Sequence, residues 1–325
     1  MTVWPDRYQN TLPTRAYLSS VLSQTVPARR AALADSVRHF HDALASGDRG
    51  WADMALLGAI ADSLQLLEDL AYVGEAFTAV RFPGLPFYVA AITYGGNVPT
   101  TFYTRKRTNE DLRVLAGFAV REPDGTTHGV LEMFHATNLS ESTKVAWAEA
   151  EETTVTVVRA TIDGLADTWK RFGKYAHGFK HGGLVPNRDD FQLVDDNGKV
   201  LDPVIAVWMR KKSDPHAHGH TKGDIDVADI VRELEISAAM AIDVLDVIVS
   251  IRLGLADYAA SHEPGSPDEL MRMSVPVRFK LGQLGLSDEA TRELEAIGLT
   301  FSDVQVWPPR SAVRTDSEHR EPQTS

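Results

Sequence analysis

The chain contains no cysteine. That excludes disulfides, thiolate nucleophiles and zinc or iron–sulfur centres built on cysteine. Basic residues are in deficit, with 33 Lys+Arg against 45 Asp+Glu and a formal net charge of −12. This balance argues against bulk attraction to nucleic acid or anionic lipid and leaves room only for a local basic stripe. A long run of purely apolar residues is also missing. The longest apolar stretch, 51–80, carries Asp53, Asp62, Glu68, Asp69 and Glu75, which would be costly inside a bilayer. The start, Met1 to Arg7, has no basic region followed by an apolar one, so no signal peptide is expected and the cytoplasm is the default location. Gly95-Gly96 and Gly182-Gly183 belong to no phosphate-binding fingerprint, and no Gly-x-Ser-x-Gly is present.

What is present is helical periodicity across 325 residues, enough for roughly two domains or one large one. The 28–45 segment has a helical pattern, with Pro27 suited to a first turn. Ser46 to Gly50 breaks it, and so short a connection favours an antiparallel neighbour. The 51–80 segment reads as a central helix, apolar around most of its circumference. Asp62, Gln65, Asp69 and Tyr72 fall on one stripe, and Glu68 and Glu75 on another among apolar residues. A carboxylate in such a place needs a partner. Pro83 to Pro86 ends this helix, 87–94 suits either strand or helix, and 109–118 looks helical.

The stretch 142–181 holds a helical phase even through the β-branched run 153–158. Trp147, Val158, Leu165, Trp169, Phe172 and Phe179 occupy one half of its wheel. Phe191 to Val194, the turn residues Asn197-Gly198, and 199–208 predict a β-hairpin. A polar loop is expected over 210–223, then a helix over 224–260 with Ile230, Leu234, Ala238, Ile242, Leu245 and Val249 on one face. A last helix is expected near 287–297.

The expected fold is therefore mainly α. It is an antiparallel helical bundle over 27–262 with an inserted β-hairpin near 191–209, preceded by an N-terminal arm over 1–26. A small C-terminal helical appendage follows over 263–307, with a disordered tail over 308–325.

The sharpest chemical signal ends the long helix. With Lys170 at zero on the wheel, Lys174, His177 and His181 fall within about 40° of it, while Phe172, Tyr175, Ala176 and Phe179 lie roughly opposite. Imidazoles exchange protons near neutral pH, and lysine or arginine beside them can neutralise a phosphate. The plain alternative is a solvated helix end, where cations are favoured by the helix dipole. In that case Asp163 and Asp167 would pair with Lys170, Arg171 and Lys174 one or two turns on.

A buried helix of the type Leu64-Gln-Leu-Leu-Glu-Asp-Leu70, followed by a helix ending Tyr175-Ala-His-Gly-Phe-Lys-His-Gly182, resembles HEPN-type helical bundles. The resemblance covers 28–183 and the helix at 224–260. Many members of that family are metal-independent, dimeric endoribonucleases of toxin and phage-defence systems. Their motif is an arginine followed, after four to six residues, by a histidine near the end of a core helix. Arg171 with His177 fits this spacing, and Lys174 with His181 matches it with lysine in place of arginine. Phe172 stands where the family has a polar residue, and Arg171 and His177 are about 120° apart on a straight helix.

The resemblance implies Arg171, Lys174, His177 and His181 as catalytic residues. Glu68, Asp69, Tyr175 and Lys180 would support them, with Lys180 a potential partner of Glu68. It implies RNA as the substrate, a homodimer or protein partner, no cofactor and no membrane.

Two further features carry chemistry. Asp214-Pro-His216-Ala-His218-Gly-His220, with Asp224 and Asp226 behind, is a metal candidate, since alternating histidines in a loop can bind zinc or nickel adventitiously. Arg105-Lys-Arg107 and Arg210-Lys-Lys212 lie beside Phe102, Tyr103 and Trp208, and basic residues among aromatics can bind single-stranded nucleic acid. The rival functions are thus a non-catalytic helical interaction or scaffold protein and, third, a metal-dependent enzyme using His216, His218 and His220.

Overall fold

The computed structural model describes residues 11–78, 97–121, 125–133, 138–180, 184–185, 193–194, 200–201, 206–211, 214–221, 227–261, 277–279, 286–297 and 299–301. Within these, the backbone alone is described at 11–15, 49, 133, 174–180, 184–221, 227–228, 250–251, 254–261, 277–279 and 300–301. The chain is mainly α. In the 11–25 segment, expected to be an arm, α1 (Thr11–Ser20) runs through a π-helical turn (Val21–Thr25) into α2 (Val26–Ser46). Pro27 explains the turn, because its ring would clash with the carbonyl four residues back, at Ser23, in a regular helix. Leu18 and Val21 are buried in the core, so this segment is part of the bundle.

Gly47 closes α2 in a left-handed conformation, with φ of 77°, and its N–H returns to Ala43 and Leu44. Asp48 then accepts a 2.9 Å hydrogen bond from the Trp51 N–H and caps α3 (Arg49–Thr78). Leu56, Leu57, Ile60, Leu64, Leu66, Leu67 and Leu70 of α3 are essentially inaccessible to solvent. They spread over about half of the helix circumference, and α2, α7 and α8 all pack against α3, which makes it the centre of the bundle. Its polar stripe faces α2, where Ser36 donates to Asp62 at 2.7 Å and Arg29 pairs with Asp69 at 3.1 Å.

Next come α4 (Val98–Thr104) and α5 (Asn109–Leu115), the latter started by a capping box between Thr108 and Asp111. A hairpin, β1 (Ala119–Arg121) with β2 (Thr127–Gly129), leads into a single turn, α6 (Val130–Met133). The long helix α7 (Glu141–Lys180) is unbroken through the β-branched run. Trp147, Val158, Leu165 and Phe172 are buried on one side of it, as the periodicity predicts.

The β-rich insertion differs from its expected form. Strands β4 (Leu193–Val194) and β5 (Val200–Leu201) pair around Asn197-Gly198. However, β6 (Ala206–Lys211) pairs with β3 (Leu184–Val185) and with β7 (Asp214–Thr221), the segment expected to be a loop. A run of Pro, Gly and His has little strand propensity of its own, and antiparallel pairing with β6 supplies its backbone partners.

Helix α8 (Val227–Ser261) buries Ile230, Leu234, Ala238, Leu245 and Val249 against α3 and α7. It also carries Arg252, only 1% exposed, which donates to the carbonyls of Val114 and Ala119 and lies 4.7 Å from the centre of the Phe77 ring. Strand β8 (Val277–Phe279) runs parallel to β9 (Leu299–Phe301), and between them lies α9 (Asp288–Ala296), capped by Ser287. Glu293 of α9 accepts hydrogen bonds from the N–H and hydroxyl of Ser140, both at 2.9 Å, at the head of α7. Leu294 and Leu299 join the common core. No described helix is long and apolar enough to cross a membrane. The 87–94 segment and the 308–325 tail lie outside the described residues.

Two substitutions test this packing. A Cβ added at Gly74 of α3 would sit 2.7 Å from Cε2 of Phe102, so Gly74→Ala is expected to cost about 1–3 kcal/mol by overpacking. Arg252→Ala leaves two buried carbonyls short of a donor and opens a cavity, with an expected loss on the order of 3 kcal/mol. Urea midpoints near that of the unmodified chain would refute either expectation.

Candidate nucleic-acid interface

Arg171, Lys174, Tyr175, His177 and Lys180 all lie on the continuous backbone of α7. The side chains of Lys174, Tyr175, His177 and Lys180, and the whole of His181, lie outside the described residues. Arg171 is placed fully. Its guanidinium pairs with Glu233 of α8 and lies 5.0 Å from the centre of the Phe172 ring. Alongside, the Thr168 and Ser237 hydroxyls are 2.9 Å apart. Arg171 therefore links α7 to α8, a different pairing from the expected one with Asp163 or Asp167. Among the described residues, Asp163, Asp167 and Lys170 make no ion pair.

The expected supporting residues on α3 divide. Asp69 is engaged by Arg29 and by Gln65 at 3.4 Å, and burial pushes its carboxyl above the ordinary value despite Arg29. Tyr17, buried beside Asp69, is pushed up to about 12. Glu68 is half-buried, and its charge helps raise Tyr72 and Tyr103. Its expected partner Lys180 has no described side chain. The deeply buried carboxylate is instead Glu75, 5% exposed, paired with Arg105 at 3.1 Å.

For the metal candidate, the backbone puts His216, His218 and His220 at alternate positions of β7. His218 is opposite Arg210 and His220 opposite Trp208. Their side chains, and Asp224 and Asp226 entirely, lie outside the described residues, among which no three His, Asp or Glu side chains are placed to share a metal ion.

The described surface holds a concavity that grows from the core outward. Gly74 has no side chain, so α4 can press Phe102 onto α3. Tyr103 follows, fully buried, donating its hydroxyl to the Leu67 carbonyl at 2.8 Å and stacking on Trp169 of α7 at 5.7 Å. Burial holds its phenol well above the ordinary value. These two anchors fix the segment Arg105-Lys106-Arg107 at the mouth of a hollow of about 350 Å³, closed on the far side by Arg159 and Asp163 of α7.

Each cation there is held differently. Arg105 donates to Glu75 and, at 3.1 Å, to the Thr78 hydroxyl. Arg107 donates to the Phe102 carbonyl and lies 4.1 Å above the Phe102 ring centre. Burial, and then the charge of Arg105, draw the Arg107 guanidinium below its ordinary value. Arg159 donates to the Asn109 side-chain carbonyl at 2.6 Å. Lys106 is exposed and makes no ion pair or hydrogen bond among the described residues.

Sequence reading had singled out Arg105-Lys-Arg107 beside Phe102 and Tyr103 but missed Arg159. The signal was available, because position 159 precedes position 177 by about five full helical turns, on the same face. Arg159, Lys170, Lys174 and His177 thus share one edge of α7 by phase. No protein-family model matches the chain, and no curated protein or solved structure is significantly similar to it.

The Asp69 environment yields a pH prediction. A carboxyl held above its unfolded value favours the fold below about 3.8, the ordinary value. That contribution disappears as pH rises through the folded value. Asp69→Asn should flatten the loss of stability that sets in as pH rises above about 3.8 in urea unfolding. Parallel profiles for the two proteins would mean that Arg29 offsets the burial completely.

Proposed function

We propose that this chain is an RNA-acting helical bundle of the HEPN-like kind, a metal-independent endoribonuclease of a toxin or phage-defence type. The observation that supports it most is the convergence of Arg105, Lys106, Arg107 and Arg159 on one concavity in a protein of net charge −12. By helical phase, the edge of α7 that closes this hollow continues to Lys170, Lys174 and His177. A phosphate backbone laid along that edge meets these cations with Asp163 and Asp167 interspersed among them, in a chain whose overall charge repels it.

In this reading His177 or His181 takes the proton from a ribose 2′-hydroxyl. The freed oxygen attacks the adjacent phosphorus, the 5′-oxygen leaves and is protonated, and a 2′,3′-cyclic phosphate remains. Lys174 meets the negative charge that builds on the phosphate. Arg171 can assist only by exchanging Glu233 for phosphate. With Glu233 retained, it positions α7 against α8. The attacking group is the RNA's own hydroxyl, so the scheme calls on no cofactor.

A second reading rests on a separate observation. Leu44, Trp51 and Met54, which are 51%, 57% and 40% exposed, gather at the turn between α2 and α3. Exposed large apolar side chains in one place are a feature of interaction surfaces, and an interaction or scaffold protein would use such a corner.

RNA incubated with the purified chain in EDTA separates these readings. Cleavage leaving cyclic phosphate ends is expected, falling about 100-fold or more in His177→Ala or in His177→Ala/His181→Ala. Equal cleavage by the double variant would take these histidines out of the chemistry. Neither cleavage nor RNA binding by the unmodified chain would favour the interaction protein.

A further inference from the structure

The hollow between α4 and α7 carries an uncompensated charge. Arg105, Lys106, Arg107 and Arg159 line it, and Asp163 is the one carboxylate among its lining residues. Beneath it, Glu75 is committed to Arg105. Asp111, whose charge also reaches Arg107, pairs with Arg121 at 2.7 Å, an arginine that it shares with Glu110. Four cations therefore line the hollow with a single carboxylate, and its local charge is positive.

That charge is costly in this place. The Nε–H groups of Arg105 and Arg107 are buried without an acceptor among the described residues. Arg105 has Glu75 in contact, whereas Arg107 makes no ion pair among those residues and loses solvation that no contacting anion returns. The hollow is at the small end of ligand-site volumes, room for a small polar group and little more. Donors remain for it. Lys106 is uncommitted, Arg159 uses one N–H group on Asn109, and Arg107 one on the Phe102 carbonyl.

We propose that this hollow is a binding site for a phosphate monoester, held by Lys106, Arg107 and Arg159. A monoester carries close to two negative charges at neutral pH and an internal phosphodiester only one, so the monoester gains more from a cluster of cations. Its three terminal oxygens can each accept from a different cation. The carrier is either the phosphorylated end of an RNA strand or a free nucleoside monophosphate. The proposal leans on the RNA reading only in taking an RNA end as one of these carriers.

The test is fluorescence anisotropy of the full chain with a short 2′-O-methyl oligoribonucleotide, which cannot be cut through its own hydroxyl. The probe is prepared with a 5′-phosphate, with a 3′-phosphate, or with hydroxyls at both ends. One phosphorylated form should bind about tenfold more tightly than the hydroxyl form, the scale of a lost charge-assisted contact. Lys106→Gln and Arg159→Gln should each abolish that preference, while Lys144→Gln, on the distant first turn of α7, should retain it. Lys106 is exposed, so its variant is expected to fold, and thermal unfolding checks both. The preference should also fade as pH falls through about 6, where the monoester takes up a proton.

Competition by a nucleoside monophosphate would assign the site to free nucleotides, and its failure beside a clear end preference would assign it to RNA ends. Equal affinity for all three probes, with no competition by the monophosphate, overturns the proposal. RNA bound without an end preference would remove this site and leave the RNA reading standing. Direct binding of a fluorescently labelled nucleoside monophosphate by a chain that neither cuts nor binds RNA would do the reverse.

Discussion

A helix of 30 residues with leucines over half of its circumference cannot remain in water, and the rest of this molecule is arranged around that constraint. Three neighbours, α2, α7 and α8, pack against α3 along its length, with α1 behind them on α8. The helix keeps its backbone hydrogen bonds to itself, so apolar covering suffices nearly everywhere. The exceptions are the polar side chains on its stripes, and four of them have placed partners. Asp62 meets Ser36, Asp69 meets Arg29, Ser63 donates to the Leu234 carbonyl at 3.2 Å, and Glu75 meets Arg105. These contacts add little net energy, but losing one partner would strand a buried polar group. They therefore set which helix lies on which side of α3.

The same constraint builds the surface hollow. Covering the C-terminal half of α3 requires Phe102 and Tyr103, and Gly74 makes room for the closest of these contacts. The residues that follow in sequence, 105–107, are then carried to the surface at a fixed place, with Arg105 reaching back to neutralise Glu75. The cation cluster is thus tied to the core. A surface loop of three basic residues would be mobile and screened, whereas here Arg105 is held by Glu75 and Thr78, and Arg107 by burial and the Phe102 ring. The cost is visible in Arg107, whose charge is disfavoured where it sits. Sites that retain such a cost are candidates for function.

An acidic protein with a small basic concavity differs from a basic nucleic-acid binder. Its overall field repels polyanions at a distance and attracts only within about a Debye length, near 8 Å at physiological salt. Such a surface binds short segments or ends better than long duplexes. The exposed Leu44, Trp51 and Met54 lie at another corner, on the turn between α2 and α3, so an interaction face and an anion site can coexist.

Periodicity and punctuation determined a great deal of this protein. The spans of α2, α3, α7, α8 and α9 follow from apolar spacing, Gly47, and the caps at Asp48 and Ser287, because these act between residues a few positions apart. The polar stripe of α3 was legible for the same reason. Strand β7 was not, because its pairing with β6 supplies what its own residues lack. Nor was the helical state of 11–25, which depends on burying Leu18 and Val21 against distant residues. In the candidate site, the basic trio and the aromatic pair were readable one after another. Their meeting with Arg159, the capture of Arg171 by Glu233 and the choice of Glu75 over Glu68 as the buried carboxylate were decided only by the tertiary structure. Each depends on how far one helix is rotated against another. That rotation is set by the fit of many side chains at once, which no local pattern contains.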